Sequence, residues 1–85
     1  ATTLSVVNQA YLDMNVYVLR DGGQRIRLGT ATGNQTTVLT IPSDVLFGPT
    51  PLRFVADPIG GTRASVSTSI LVNPGDQVEM RIPPN

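Results

Sequence analysis

Leu12-Asp13-Met14-Asn15-Val16-Tyr17-Val18-Leu19-Arg20, followed by Asp21-Gly22-Gly23 and then Gln24-Arg25-Ile26-Arg27-Leu28-Gly29-Thr30, is the stretch that decides the fold. Its first run alternates with period two, so Leu12, Met14, Val16 and Val18 share one face and Asp13, Asn15, Tyr17 and Leu19 the other. Asp21-Gly22-Gly23 supplies residues that tolerate positive φ at a tight reversal. The chain then resumes alternation with Ile26 and Leu28 inward and Arg25 and Arg27 outward. Two strands joined by a short hairpin are therefore predicted here.

The same period recurs on both sides of this hairpin. Thr2 to Val7 places Leu4 and Val6 on one face, and Gln35–Ile41 does so with Thr37, Leu39 and Ile41 before Pro42 stops the ladder. Leu52–Asp57 aligns Leu52, Phe54 and Ala56, and Ser65–Val72 aligns Val66, Thr68, Ile70 and Val72. Val78, Met80 and Ile82 complete the last run. Asn73-Pro74-Gly75-Asp76 has Pro and Gly at the central positions of a type II turn. Between Pro42 and Pro49, Ser43 is read as the cap of one helical turn over 43–48, with Leu46 or Phe47 plugging one end of the fold. No segment carries an amphipathic pattern of three helical turns. The reading is a single all-β domain over residues 1–85, a seven-stranded antiparallel β-sandwich of immunoglobulin-like or transthyretin-like type, with an open barrel as the lesser alternative.

Composition narrows function mostly by exclusion. Six basic residues balance six acidic ones, and charged residues make up 14% of the chain, against about 25% in typical soluble domains. All six basic residues are Arg, and they are scattered, so the clustered positive field that nucleic acid or an anionic membrane requires is missing. Neither nucleic acid nor membrane insertion is expected, and a small-molecule ligand is not favoured. Cys, His, Trp and Lys are all absent. No thiolate, imidazole or amine nucleophile can form, and no cofactor is expected; the chain is read as a non-enzyme. The opening Ala1-Thr2-Thr3 fits an exported protein whose leader has been removed, placing it outside the cell or on its surface.

The Asn73-Pro74-Gly75-Asp76-Gln77-Val78 ending resembles that of exported immunoglobulin-like and cupredoxin-like modules. More widely, Leu12 to Val18, Arg27-Leu28-Gly29-Thr30, Ala56-Asp57-Pro58-Ile59-Gly60 and Val72 to Asp76 resemble small exported bacterial β-sandwich proteins. That resemblance implies an exported two-sheet fold and no particular activity. The cupredoxin likeness would imply copper, but its His and Cys ligands do not exist here, and Met14 and Met80 are in phase with core residues.

Other chemical candidates are thin. Asp13, Asp57 and Asp76 could meet at one end of a sandwich as a calcium site, although no Asp-x-Asp-x-Asp-Gly loop occurs. Asp44 and Glu79 could be paired as glycosidase carboxylates only if the fold brought them together. Gly60-Gly61-Thr62-Arg63 lacks the strand-to-helix setting of a phosphate loop. Asn34-Gln35-Thr36 is a glycosylation sequon, which makes Asn34 a candidate modification site.

Two wider features point to association. Val7, Tyr17, Leu19, Val38, Val55 and Leu71 are apolar residues on faces that should meet water, and together they suggest a surface that a partner covers. Thr2-Thr3-Leu4-Ser5-Val6-Val7 is uncharged, Pro-free and β-prone, so it is read as an unprotected edge or as a strand donated to a neighbour. The expected function is a non-catalytic extracellular structural subunit of a self-assembling filament or surface layer, a homo-oligomer or homopolymer held by β-strand pairing or donor-strand exchange and an apolar outer face. Its expected interface is Thr3, Leu4, Ser5, Val6 and Val7, with residues 1–8 as the exchanged or edge-pairing strand, plus Tyr17, Leu19, Val38, Val55 and Leu71. The alternative is a monomeric module recognising a protein or glycan through the Asp21–Gly23, Pro58–Thr62 and Asn73–Asp76 loops.

Overall fold

The computed structural model describes residues 1–20, 23–60 and 64–84. It is all-β, with seven strands in two sheets: β1 (Thr3–Asn8), β2 (Met14–Arg20), β3 (Ile26–Ala31), β4 (Gln35–Thr40), β5 (Thr50–Pro58), β6 (Val66–Val72) and β7 (Gln77–Ile82). The three-stranded sheet has the order β4-β1-β7 and the four-stranded sheet β3-β2-β5-β6. Alternation explains the core directly. Leu4 and Val6 from β1 and Met80 and Ile82 from β7 meet Met14, Val16 and Val18 from β2 and Leu52, Phe54 and Ala56 from β5 in one buried cluster. Every one of these side chains is almost fully excluded from water, and each buried Leu or Phe contributes roughly 1.5–3 kcal/mol of transfer free energy.

Three expectations are corrected. The first concerns β1. It is antiparallel to β4, with Ser5 opposite Val38, but parallel to β7, with Ser5 opposite Glu79, so the sheets are not wholly antiparallel. β1 is thus the central strand of its sheet, not an edge. Leu4 and Val6 lie in the core of their own domain. The strand order also differs from immunoglobulin constant domains, where the first, second, fourth and fifth strands share a sheet; here β1 and β2 are in opposite sheets.

The second concerns the segment after β4. A 3-10 turn spans Ser43–Val45, and Ser43 provides no side-chain cap; Pro42 precedes the turn. Val45 is the buried plug, Leu46 packs against the core, and Phe47 is 69% exposed with the Arg20 guanidinium 4.5 Å from its ring centre. The third concerns β3. Val16 pairs with Gly29 and Tyr17 with Arg27, so Leu28 is an extra residue in a bulge, which keeps Arg27 and Thr30 on the same outward face. A Cβ on Gly29 would stand 2.9 Å from the Leu39 side chain, so glycine permits the close approach of β3 to β4 where the sheets converge.

The registers also place the loops. β2 runs toward the end where β5 begins, since Arg20 is opposite Leu52, and β6 finishes at that same end, since Val72 is opposite Thr50. The reversal after Arg20, the 3-10 turn, the chain start and the Asn73–Asp76 turn therefore share a first end. Residues 9–13, 32–34 and 59–60 share the opposite end. In the Asn73–Asp76 turn, Gly75 has φ 91°, and the Asp76 N–H donates to the Asn73 carbonyl at 3.0 Å, matching the type II geometry. Asp21 and Gly22 of the first hairpin lie outside the described residues; Gly23 N–H donates to Arg20 O at 2.8 Å. The described part of the other hinge, Ile59-Gly60, is tied back by the Ile59 N–H to the Asp13 carbonyl at 2.9 Å. Among the described residues no helix is long and apolar enough to cross a membrane.

Candidate functional site

The two outer faces and the sheet edges carry the residues that sequence reasoning marked for association, and the fold divides them. Tyr17, Leu19, Val55 and Leu71 face outward on the four-stranded sheet, where Tyr17 is directly opposite Val55 and Leu71 opposite Pro51. Thr3, Ser5, Val7 and Val38 face outward on the three-stranded sheet, where Ser5 is opposite Val38 and Val7 opposite Thr36. The expected single apolar surface is therefore two surfaces on opposite sides of the molecule. Alternation alone reports that a residue faces outward, not from which sheet.

Most of these side chains are already partly covered by their own domain. The Arg25 guanidinium lies 4.3 Å from the Tyr17 ring centre and its Nη1 donates to Asp57 Oδ2 at 3.0 Å. Ser65 Oγ donates to the other Asp57 oxygen. These contacts hold the Asp57 carboxyl below its ordinary range, the Ser65 hydrogen bond most strongly and the Arg25 hydrogen bond and charge adding to it, against an opposing effect of burial. Beside them, Arg27 Nη2 donates to Asn15 Oδ1 at 3.2 Å and to Thr30 Oγ1 at 2.8 Å. The β3 side of this face is thus a closed polar mesh. Of the six outward apolar residues, only Val38, 55% exposed, and Leu71, 61% exposed, remain open.

Val38 and Leu71 are on edge strands. Among the described residues, β4 pairs only with β1 and β6 only with β5, both in unbroken register. Gln35-Thr36-Thr37-Val38-Leu39-Thr40 and Val66-Ser67-Thr68-Ser69-Ile70-Leu71-Val72 contain no charged residue and no Pro. The other two edges are protected. β3 has its bulge and Arg27, and β7 carries Glu79 and Arg81, ion-paired at 3.1 Å, and runs into Pro83-Pro84. Each sheet therefore has one blunted and one bare edge. The uncharged runs that would have revealed β4 and β6 are visible in the sequence, but their status as edges depends on long-range pairing.

The candidate chemical groups do not converge. Asp13 is at the opposite end from Asp76, and each is engaged by a backbone N–H: Asp13 Oδ1 accepts from Gly33 of the turn before β4 at 2.8 Å, and Asp76 Oδ2 accepts within its own turn from Asn73 at 3.2 Å. Among the described residues no three acidic groups stand together. Glu79 pairs with Arg81 on the outer face, whereas Asp44 is on the 3-10 turn at the first end. Met14 and Met80 are core residues. Gly61, Thr62 and Arg63 lie outside the described residues. Asn34 is exposed in a left-handed turn, φ 57°, immediately before β4. The described parts of the loops proposed for ligand capture are split between the two ends, since Gly23 and Asn73–Asp76 are at the first and Pro58, Ile59 and Gly60 at the other; Asp21, Gly22, Gly61 and Thr62 lie outside the described residues. A shallow concavity of about 400 Å³ lies beside Leu19, Arg20, Pro51, Arg53 and Ser69, and among the described residues no carboxylate lines it.

Comparison with protein-family models, with curated proteins and with solved structures finds no match for this chain.

Proposed function

We infer that the chain is a non-catalytic structural module acting outside the cell, a subunit that self-associates by β-strand pairing. Its fold fits a two-sheet sandwich closer to the transthyretin-like than to the immunoglobulin-like class, because β1 and β2 fall in different sheets. The observation that carries the reading is the bare edge on each sheet, at β4 and at β6. Uncharged, unbulged edge strands present a row of free N–H and C=O groups that another strand can pair with, and natural monomers ordinarily blunt them. Strand donation by residues 1–8 is not the contact favoured here, since β1 is paired on both sides within its own domain. A monomeric binding module using all three proposed loops is less well supported, since the Pro58 loop begins at the end opposite the Asn73–Asp76 turn.

Sedimentation velocity and negative-stain electron microscopy of the chain across a wide concentration range test this. Assembly predicts species above the 9.0 kDa monomer that grow with concentration. A monodisperse monomer at every concentration contradicts it.

A further inference from the structure

We propose that self-association joins unlike edges: β4 of one copy pairs antiparallel with β6 of the next, giving an open-ended filament with an approximate two-fold screw axis across the strands. This rests on the self-association reading and specifies its geometry. Four observations lead to it.

The bare edges lie at diagonally opposed corners. β4 ends the three-stranded sheet on the side where β3 ends the four-stranded one, and β6 ends the four-stranded sheet on the side of β7. A copy turned by half a rotation about the line joining these sides brings its four-stranded sheet level with the first copy's three-stranded sheet. Its β6 then abuts the first copy's β4.

The strand directions agree with that operation. β4 and β6 point the same way within one copy, since each is antiparallel to a strand that runs from the first end to the opposite end. The half rotation reverses β6 and makes the pair antiparallel. It also turns both core faces to the same side, so pleats match across the junction.

The lengths and side chains match. Six residues of β4 can face six of the seven in β6, from Gln35 opposite Val72 to Thr40 opposite Ser67. In that register Val38 is opposite Ser69 and diagonal to Leu71, so the two exposed apolar side chains of the bare edges cover one another.

The unequal sheets leave room for it. The three-stranded sheet is one strand narrower, so β7 of the next copy stays clear of β3 in the other layer. A heterologous contact of this kind does not close on itself and continues as a fibre, with a rise of about 20 Å per subunit from four strand spacings of ~4.8 Å.

The test uses two variants at exposed, outward positions, Val38→Lys on β4 and Ser69→Lys on β6, each checked for native circular dichroism. Each alone is expected to lose assembly and remain monomeric. Mixed in equal amounts they are expected to form a heterodimer of about 18 kDa, twice the 9.0 kDa chain, because each supplies the edge the other has kept. Combining Val38→Lys with Ser69→Glu in one chain is expected to restore growth, since the two positions stand opposite each other. A dimer formed by either variant alone, or filaments unchanged in both, overturns the unlike-edge pairing while leaving self-association intact. A wild-type chain that never assembles overturns both.

Discussion

Asn8 is a severe test of how this fold is held at the opposite end. It is a polar side chain 1% exposed at the end of β1. Its Nδ2 donates to the carbonyls of Leu12 at 2.9 Å and Ala31 at 3.3 Å, and its Oδ1 accepts from the Ala10 N–H at 3.0 Å. One amide thus ties the crossover from β1 to β2 onto the end of β3. Asn8→Leu keeps the branched outline of the side chain but adds bulk at a fully buried site, and it leaves the fully buried Ala10 N–H and the Ala31 carbonyl without these partners. A buried group left unsatisfied costs about 1–3 kcal/mol, so the expected loss for the two is about 2–6 kcal/mol, a large part of the roughly 5–15 kcal/mol of a whole domain. Asn8→Asp keeps the Ala10 bond but sets a carboxylate against two carbonyl oxygens. Its folded-state pKa then rises above the unfolded value of about 3.9, so the ionised form is the penalised one. The Asn8→Asp deficit relative to wild type should be small near pH 3 and should grow as pH rises toward 7. Urea unfolding by circular dichroism at low chain concentration, at both pH values, measures this. An Asn8→Leu variant within about 0.5 kcal/mol of wild type, or an Asn8→Asp deficit equal at both pH values, would refute the clamp.

Deleting residues 1–8 should abolish folding rather than yield a soluble assembly-deficient monomer, because it removes the strand that β4 and β7 both pair with; a cooperative thermal transition in the truncated chain would contradict this. Gly33→Ala should destabilise by about 1–3 kcal/mol, because a Cβ there falls inside contact distance of the Tyr11 carbonyl oxygen, and an unchanged melting temperature would show that the 9–13 crossover gives way. Asp57→Asn should cost less than about 1 kcal/mol at neutral pH, as expected of a partly exposed pair. The Asp57 carboxyl is held below 3.8, so its contribution is present above that value and fades as pH falls through the lower folded-state value. A variant deficit that instead increased on acidification would be inconsistent with the Arg25 and Ser65 contacts.

Much of the fold was legible locally. Period-two alternation located seven strands within about two residues of their bounds and assigned Leu4, Val6, Met14, Val16, Val18, Phe54 and Met80 to the core. The Pro74-Gly75 turn was legible because its residue types impose its dihedral angles. What remained hidden depends on contacts distant in sequence. Nothing in Thr3–Asn8 reveals that its partner on one side is Gln77–Ile82, in parallel. The same uncharged character that made residues 2–7 look like an edge is found in β4 and β6, and only the pairing separates the central strand from the bare ones. Leu46 or Phe47 was read as the plug; the 3-10 turn sends Val45 inward, packs Leu46 against the core and leaves the Phe47 ring exposed beside Arg20. The bulge at Leu28 was missed since the run from Arg25 to Leu28 alternates regularly and the phase inverts only at Gly29 and Thr30, which are too short a stretch to reveal it.

If β4 and β6 meet another copy of the chain, their free backbone groups become hydrogen-bonded only on association. Amide hydrogen exchange, followed residue by residue as chain concentration is raised, tests this most directly. Outward-pointing amides in Gln35–Thr40 and Val66–Val72 are expected to gain protection with concentration while those of Ile26–Ala31 and Gln77–Ile82 do not. Protection in β4 and β6 that is independent of concentration would contradict it.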